Sequence, residues 1–492
     1  MIDFSKIADQ LLYNSKDPLL FNSGFFIVFF IVFLFGYLLL RKNPLLRVLY
    51  FTLFSFYFFY KACGFYFLLI ILSAIIDFNL SNLIYRASTP TKKKALLVFS
   101  ICINLGLLAY FKYTDLFIDI VNGITSGNIQ PLHLIIPIGI SFYTFENLSY
   151  TIDVYRGKFV PIKSFLDYCF FLSFFPKLLM GPIVRASDFI PQIRKPISLT
   201  NDSIGRGLYL ILSGLFKKVV ISDYIYVNYV QYIFEDPARH SGIECLLGVY
   251  GYAMVIYCDF SGYSDMAIGI AKWVGIEVNR NFDSPYQSKS ITEFWRRWHI
   301  SLSSWLRDYL YISLGGNRLG KLRQYSNLMI TMLLGGLWHG ASLNFVVWGG
   351  MHGAALALDK LKYEFLGKRK IPPKKSKIMN IIGVLITFHF VCFTWIFFKA
   401  PSFAYARIML QQIAFNFNGS AFMTLFTAYR PVILIMGLGF FLHFISNNFQ
   451  EKSIQFISRT NMIVKIAAVV IMVWIVIQSK QSEAVMPIYL QF

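Results

Sequence analysis

The sequence is poor in charged residues, and poorest in acidic ones. Charged residues occupy 14% of the 492 positions, against about a quarter in an average soluble domain. Hydrophobic residues occupy 56%, with 51 Phe and 30 Tyr, which is more apolar side chain than a soluble globule of this size can bury. These proportions exclude a disordered protein and a nucleic-acid-binding tail, and they indicate an integral membrane protein.

Acidic residues are outnumbered by basic ones, 25 against 46, which gives a formal net charge of +21. In a membrane protein such an excess is typical of cytoplasmic loops that face anionic lipids, so it requires no nucleic-acid partner. The six cysteines lie scattered without a CxxC pair, and they predict neither a disulfide framework nor a zinc site. HExxH, GxSxG and P-loop motifs are also missing, so we predict no metal and no bound cofactor.

Apolar windows long enough, or nearly so, to cross about 30 Å of hydrocarbon recur along the whole chain. They cover residues 24–40, 46–60, 65–80, 95–111, 134–148, 166–182, 207–222, 246–271, 325–337, 343–358, 379–398, 431–447 and 462–478. The windows are uniformly apolar and lack the alternation of a membrane barrel strand. We therefore predict an all-α, polytopic membrane protein with about ten transmembrane helices, plus re-entrant and interfacial helices around a central cavity.

The chain is predicted to be a single membrane-embedded domain, residues 1–492. Residues 1–20 form either an outer interfacial helix or a frayed terminus, and they lack the basic start of a signal peptide, so we expect the first apolar run to be retained. Basic residues after the first, third and fifth windows, and in the loop 359–378, predict cytoplasmic loops. This alternation places both termini, including the tail 479–492, on the outside.

Residues 257–353 are unusually polar for a membrane protein. Ionisable side chains at membrane depth are costly unless they are paired or face water, so their concentration here predicts a functional cavity. The substrate-binding or donor-binding candidates are Arg297, Trp298, Ser303, Arg307, Asp308 and Trp338. His299, Ser303 and Arg307 are spaced to share one helix face. An Arg-rich face suits a phosphorylated cofactor, although an interfacial helix with a belt of Trp and Arg explains the same pattern.

His339 ends an apolar window next to Gly335, Gly336 and Gly340. The glycines permit close helix packing and leave room for a ligand beside the ring. A buried neutral imidazole can remove a proton from a hydroxyl that attacks a thioester, so we predict His339 as a catalytic base; the alternative is a hydrogen-bonded structural histidine. His352 is either a second cavity histidine or, as the pattern favours, a packing residue. For Asp259 and Asp265 we favour structural ion pairs over a proton relay or a transporter ion site.

Residues 257–353 resemble the membrane-bound O-acyltransferase (MBOAT) family, within it the bacterial branch that includes the alginate O-acetylation membrane protein, and more distantly the teichoic-acid D-alanylation protein. The resemblance depends mainly on WRRWHISLSSWLRDYLY at 295–311 and LLGGLWHG at 333–340. Further matches lie at 137–145, 153–157, 175–177, 181–183 and 214–218. The resemblance implies that His339 and His299 are the catalytic histidines. It also implies a ring of helices around a thin centre, with a cytoplasmic funnel for the acyl donor.

The resemblance further implies a reaction and its partners. The donor substrate is acetyl-CoA or another acyl thioester, the acceptor is an extracytoplasmic polysaccharide, and the location is the bacterial cytoplasmic (inner) membrane. No hydrolase-like domain is attached, so we expect a separate exported acyltransferase or esterase-like protein to finish the transfer. Tyr489, in a tail that resembles an aromatic acyl-carrying tail of this branch, is either the acyl carrier or an interfacial anchor. Two other functions stay open: a lipid-linked sugar flippase or other transporter, and acylation of a lipid or a secreted peptide.

Overall fold

The computed structural model describes residues 10–15, 18–366, 376–479 and 485–488. Over these residues the secondary structure is helical and contains no strand, so the all-α prediction is confirmed. The chain forms two compact units. The first comprises Met1–Gly207 and Met266–Asn279, and the second comprises Leu208–Asp265 and Arg280–Phe492.

The first unit is built from eight described α-helices and the start of a ninth. They are α1 (Gly24–Leu40), α2 (Pro44–Cys63), α3 (Phe67–Arg86), α4 (Pro90–Thr125), α5 (Ile140–Tyr155), α6 (Phe165–Ser173), α7 (Phe175–Leu178), α8 (Ala186–Phe189) and α9 (Asn201–Leu215). Helix α9 continues into the second unit as two π-helical segments, Phe216–Asp223 and Tyr226–Val230.

The second unit holds most of the remaining helices. They are α10 (Gln231–Glu235), α11 (Gly242–Trp273), α12 (Ile291–Arg297), α13 (Ile300–Trp305), α14 (Lys321–His339), α15 (Leu343–Leu366), α16 (Lys377–Lys399), α17 (Phe403–Phe415), α18 (Phe422–Ala428), α19 (Arg430–His443), α20 (Asn447–Arg459) and α21 (Met462–Ser479). A third π-helical segment, Leu306–Tyr311, follows α13. The last turns of α11 belong to the first unit.

The core of the first unit is aromatic. Phe33, Phe51 and Phe175 are almost fully buried, and the ring of Phe51 meets Phe33 edge-on at 5.0 Å and stacks on Phe175 at 5.4 Å. A buried ion pair joins Lys177 Nζ to Glu146 Oε2 at 2.6 Å. Large interdigitating rings, with the buried charges paired or hydrogen-bonded, are what a chain rich in Phe and poor in acid needs in order to fold inside a membrane.

Five helical stretches in the described residues are long and apolar enough to cross a membrane. They are Pro44–Arg86, Pro90–Thr125, Gly242–Trp273, Lys377–Lys399 and Met462–Ser479. Helices α18 and α19 meet at 93° and would add a sixth as a single broken span. The protein is therefore a multi-pass membrane protein. The predicted count of about ten spans is not confirmed, because the helices in the other windows are shorter or less apolar.

Three of the predicted windows are interrupted. In 134–148 no helix forms before Ile140; Gly139, at φ 78°, starts α5, and a Cβ there would lie 2.6 Å from the carbonyl oxygen of Leu178. Window 166–182 is divided at Phe174 between α6 and α7. Window 207–222 changes from α-helix to π-helix after Leu215. Proline, glycine and a change of hydrogen-bond register interrupt helices that uniform hydrophobicity predicts as continuous.

The structure also revises the predicted boundaries outside the core. Helix α15 continues to Leu366, so residues 359–366 of the predicted basic loop 359–378 are helical. Residues 367–375 lie outside the described residues. Of the predicted interfacial segment 1–20, residues 1–9 and 16–17 lie outside them too; Leu11 and Leu12 are exposed, whereas Leu19 and Leu20 are buried.

Candidate active site

The WHG motif lies at the end of α14, where α14 packs closely against α15. A Cβ on Gly336 would lie 2.1 Å from the carbonyl oxygen of Phe345, and a Cβ on Gly349 would lie 2.2 Å from that of Met332. Only glycine at these two positions allows the two backbones to approach this closely. The glycine contact therefore fixes the end of α14, and with it His339, against α15.

His339 is enclosed by aromatic rings. Its imidazole is 3% exposed. The ring centroids of Trp338, Trp348 and Phe398 lie 5.1, 5.1 and 5.3 Å from the imidazole centroid, and all three rings meet it nearly edge-on. These walls exclude water and hold the ring in a packed setting, which is what a positioned general base requires.

His299 occupies the junction between α12 and α13 in a strained backbone conformation. It is the N-cap of α13, with φ 42°, a left-handed conformation that residues other than glycine rarely adopt. Asn281 stabilises this junction: its carbonyl oxygen accepts from Ile300 N at 2.9 Å, and its Oδ1 accepts from Ser301 N and Oγ. Strain that is held by several hydrogen bonds is typical of functional sites.

The tautomer of His299 follows from the same asparagine. The backbone N–H of Ser301 donates to Asn281 Oδ1 at 3.2 Å, which identifies Oδ1 as the acceptor that lies 3.3 Å from His299 Nδ1. Nδ1 therefore carries the proton, and Nε2 is the basic nitrogen. His299 lies outside the membrane-spanning helices, and its complete burial lowers the pKa of the imidazole to about 3. The ring is therefore neutral at neutral pH.

Trp338 brings the two predicted catalytic histidines together. Its indole lies 6.1 Å from the His299 ring and 5.1 Å from the His339 ring, centroid to centroid. Phe260 closes the other side of His299, at 4.6 Å and nearly edge-on. The two histidines predicted to be catalytic lie 40 positions apart in the sequence. The fold places both of them against the indole of Trp338.

His352 proves to be a structural residue. Trp295 Nε1 donates to His352 Nδ1 at 3.2 Å, so the ring proton is on Nε2, which donates to Thr394 Oγ1 at 3.0 Å. Thr394 Oγ1 in turn donates to the carbonyl oxygen of Val391 at 2.8 Å. Both nitrogens of His352 are thus used in tying α12, α15 and α16 together, as the packing interpretation predicted.

The basic candidates of the polar stretch have acidic partners. Arg297 Nη2 lies 2.7 Å from Glu293 Oε1, and Arg307 Nε lies 2.7 Å from Asp308 Oδ1. Ser303 Oγ donates to the carbonyl oxygen of Trp298. Trp298 is buried, with 1% of the residue exposed. The prediction that His299, Ser303 and Arg307 share one helix face is wrong. His299 lies outside the helix, as the N-cap of α13 at φ 42°, and the backbone changes to a π-helix at Leu306, before Arg307 is reached.

Asp259 and Asp265 are ion-paired, as the structural interpretation predicted. Lys217 Nζ lies 2.6 Å from Asp265 Oδ2, and Lys218 Nζ lies 2.6 Å from Asp259 Oδ1. In the described part of the chain, no three His, Cys, Asp or Glu side chains are placed to hold a metal ion. Tyr489 lies outside the described residues, directly after Ile488.

Three residues that shape the site could not be identified from the sequence. Asn281 orients His299 from an irregular segment, where helical periodicity gives no signal. Trp348 and Phe398 form two of the three rings around His339. The only signal for Trp348 was its position beside Gly349, and Phe398 lies at the end of an apolar helix where nothing distinguishes it from its neighbours.

Comparison with known proteins gives consistent matches. The profile of the membrane-bound O-acyltransferase family (MBOAT) matches residues 154–400. The chain is 36% identical over 431 residues to the peptidoglycan O-acetyltransferase of Helicobacter pylori, which covers 82% of the chain and 80% of that protein. It is 42% identical over 326 residues to the probable alginate O-acetylase AlgI of Pseudomonas aeruginosa; this match covers 65% of the chain and 60% of that protein. It is 31% identical over 284 residues to the teichoic acid D-alanyltransferase of Bacillus subtilis; this match covers 56% of the chain and 71% of that protein.

Proposed function

Because the chain belongs to the membrane-bound O-acyltransferase family and is thus a multi-pass membrane acyltransferase, we propose that it O-acetylates an extracytoplasmic polysaccharide. The observation that carries the proposal is the pair of motif histidines, His299 and His339, buried against the indole of Trp338. Two of the similar proteins are named for O-acetylation of peptidoglycan and alginate. Both of those polymers carry the sugar hydroxyls that such a reaction requires.

His339 is the general base of the proposed reaction. The donor is acetyl-CoA or a similar acyl thioester from the cytoplasm. The imidazole of His339 takes the proton of an acceptor hydroxyl as its oxygen attacks the thioester carbonyl; the new C–O bond forms, the C–S bond breaks, and the leaving thiolate recovers the proton from His339. Base catalysis of this kind contributes about 10²–10⁴ in rate.

His299 and the polar stretch serve the donor side. His299 is neutral, with Nε2 as its unprotonated nitrogen, so it is suited to accept a hydrogen bond next to Trp338. The exposed Arg307 and the half-buried Arg297 are suited to the phosphates of a coenzyme, and they would exchange the carboxylates of Asp308 and Glu293 for phosphate oxygens. Trp298, Ser303 and Trp338 complete the proposed donor-binding set.

The proposed location is the bacterial cytoplasmic membrane, with both termini outside. The basic loops after the first, third and fifth apolar windows support this orientation. The polysaccharide lies on the far side of the membrane from acetyl-CoA, so the acyl group must cross. A separate exported acyltransferase or esterase-like protein is the proposed partner that completes the transfer.

Tyr489 is the proposed acyl carrier on the outer side. Its phenol would accept acetyl from the donor and pass it to the partner protein. Substitution Tyr489→Phe keeps an aromatic anchor and removes only the hydroxyl, so it should stop polymer acetylation at matched protein level. Mass spectrometry of the C-terminal peptide should find an acetyl group in the parent chain. Normal acetylation by the variant, with no modified peptide, would exclude the carrier role and leave His339 as the base.

The proposed function is tested with membranes that contain the chain and its exported partner. Acetyl-CoA labelled in the acetyl group should transfer label to the polysaccharide, with His339→Ala membranes as the control. Sugar analysis of the released polymer then identifies the ester. Label that appears in lipid or in a secreted peptide would replace the polysaccharide with that acceptor, and sugar transport without acyl transfer would contradict the proposal entirely.

A further inference from the structure

A buried ion cluster in the second unit uses none of the histidine-site residues. Lys218, on the π-helix Phe216–Asp223, lies 2.6 Å from Asp223 Oδ1 and 2.6 Å from Asp259 Oδ1 on α11. The three side chains are 0%, 8% and 1% exposed, respectively. Two buried carboxyl groups therefore share one lysine, and their remaining oxygens are costly to bury unless they receive further hydrogen bonds.

The C-terminal segment 485–488 supplies one of these hydrogen bonds. The backbone N–H of Ile488 donates to Asp259 Oδ2 at 2.9 Å, and Lys218 Nζ donates to the carbonyl oxygen of Val485 at 3.4 Å. Pro487 and Ile488 are buried. The cluster thus binds both ends of the segment through its backbone. Asp259 accepts from the N–H of Ile488 at one end, and Lys218 donates to the carbonyl of Val485 at the other.

The π-helix Phe216–Asp223 and α11 also carry a second ion pair, which serves as a comparison because it has one lysine and one carboxylate. Lys217 Nζ and Asp265 Oδ2 are 2.6 Å apart. This pair has one positive and one negative charge, so it is balanced by itself. No hydrogen bond joins it to the described residues 485–488. The two neighbouring lysines therefore have different partners, and of the two arrangements the cluster with two carboxyl groups is the one that contacts the described residues 485–488.

We propose that Lys218, Asp223 and Asp259 form a binding site for the chain's own C-terminal segment. The site recognises the backbone N–H of residue 488 and the backbone carbonyl of residue 485, and the burial of Pro487 and Ile488 adds apolar contact. Because recognition is through the backbone, the N–H at position 488 matters more than the side chain. The site holds the residues that immediately precede Tyr489.

The test measures release of the segment, with Asp265 as the matched control. Ile488→Cys is made in the full chain with the exposed Cys102 replaced by Ser, and modification by a maleimide is timed in detergent. Asp259→Ala should raise the labelling rate at position 488 at least tenfold, because Lys218 keeps Asp223 as a balanced partner while the segment loses its acceptor. Asp265→Ala should leave the rate unchanged. Equal rates in these two variants, or fast labelling before any acidic residue is changed, would overturn the proposal.

A second pair of variants leaves the ion cluster intact and so does not depend on whether Asp259→Ala folds. With a cysteine introduced at Pro487, Ile488→Pro removes the donor N–H, whereas Ile488→Val keeps it with a similar side chain. Labelling at position 487 should rise in the first variant and stay slow in the second. If both variants label at the same rate, the segment is held by side-chain packing and the proposed recognition is wrong.

The binding site also bears on the proposed function, since its link to catalysis rests on Tyr489 as the acyl carrier. If both hold, Asp259→Ala should release the segment and reduce polymer acetylation together. Release with normal acetylation would leave the binding site established and contradict the carrier role. If Asp259→Ala leaves labelling at position 488 slow but reduces polymer acetylation, the proposed binding site is wrong, whereas the carrier role of Tyr489 is not contradicted.

Discussion

The two motif histidines are held in different settings at the scale of single residues. His299 has its tautomer set by Asn281 and its backbone strained at φ 42°. His339 lies among the rings of Trp338, Trp348 and Phe398. Two imidazoles against one indole suit a reaction in which one proton is taken up and returned.

Substitution His339→Ala tests the base directly. We expect polymer acetylation to fall by about 10²–10⁴-fold or more, with the chain still folded and in the membrane, because the change removes an imidazole and leaves the Gly336–Gly349 contact intact. His299→Ala should be severely impaired but retain some turnover. The matched control is His389→Ala, since His389 is exposed and bonds Tyr250. Acetylation at the parent rate by the His339 variant would refute the assignment.

His352 contributes to stability through a chain of hydrogen bonds. Replacing Thr394 by Val removes the acceptor of His352 Nε2–H and leaves a buried donor unsatisfied, which costs about 1–3 kcal/mol. Thr394→Ser keeps the hydroxyl. We expect the melting temperature in detergent to fall for Thr394→Val and to stay closer to the parent value for Thr394→Ser. A fall of equal size in both variants would show that the methyl group, and not the hydrogen bond, is what matters.

At the scale of elements, the close packing of α14 on α15 decides where His339 lies. A Cβ on Gly349 would lie 2.2 Å from the carbonyl oxygen of Met332, whereas one on Gly350 would meet only Leu333 Cδ2 at an ordinary 3.4 Å. Gly349→Ala should therefore force the helices apart, at the usual overpacking cost of about 1–3 kcal/mol or more, and reduce both the melting temperature and acetylation. Gly350→Ala should change neither strongly. Similar results for the two neighbours would mean that the helix contact does not position His339.

The sequence predicts helices well where apolar windows are long and uninterrupted, as in α11, α16 and α21. It fails at 134–148 because hydrophobicity does not distinguish a buried irregular segment from a helix, although Pro137 and Gly139 carried the local signal. The π-helical segments could not be predicted, because a change from i+4 to i+5 hydrogen bonding leaves no mark on composition. Windows thus predict that an element exists more reliably than where it begins and ends.

The site shows the same division between local and distant information. His339 and His299 were predictable because their chemistry lies in short motifs with flanking Gly, Trp and Arg. Asn281 acts on His299 from 18 positions away, and Phe398 reaches His339 from another helix. Contacts of this kind depend on how helices pack, which a single sequence does not encode locally.

At the scale of the whole molecule, membrane orientation is the feature that the charges predict and the helices constrain. Both termini on one side require an even number of crossings. The five long apolar stretches alone give an odd number, and the bent pair α18–α19 as one span makes six. The predicted orientation also places the basic residues on both flanks of Pro44–Arg86 in the cytoplasm. It therefore requires this stretch to cross twice, as α2 and α3, because a single crossing would put the two flanks on opposite sides of the membrane.

Accessibility labelling decides the orientation. A tag at either terminus should be reached from outside intact cells, while cysteines introduced at Lys94 and Lys375, in a chain with Cys102 replaced by Ser, should react with an impermeant maleimide only after the membrane is opened. The reason is that both lysines lie in basic segments, which the cytoplasmic side retains. Lys375 lies outside the described residues, so Lys94, exposed near the start of α4, is the structurally defined control. If the C-terminus is reached only from the cytoplasm, the predicted orientation is wrong, and Tyr489 would be on the wrong side to deliver an acyl group to a polysaccharide; with the N-terminus outside, the crossing number would then be odd.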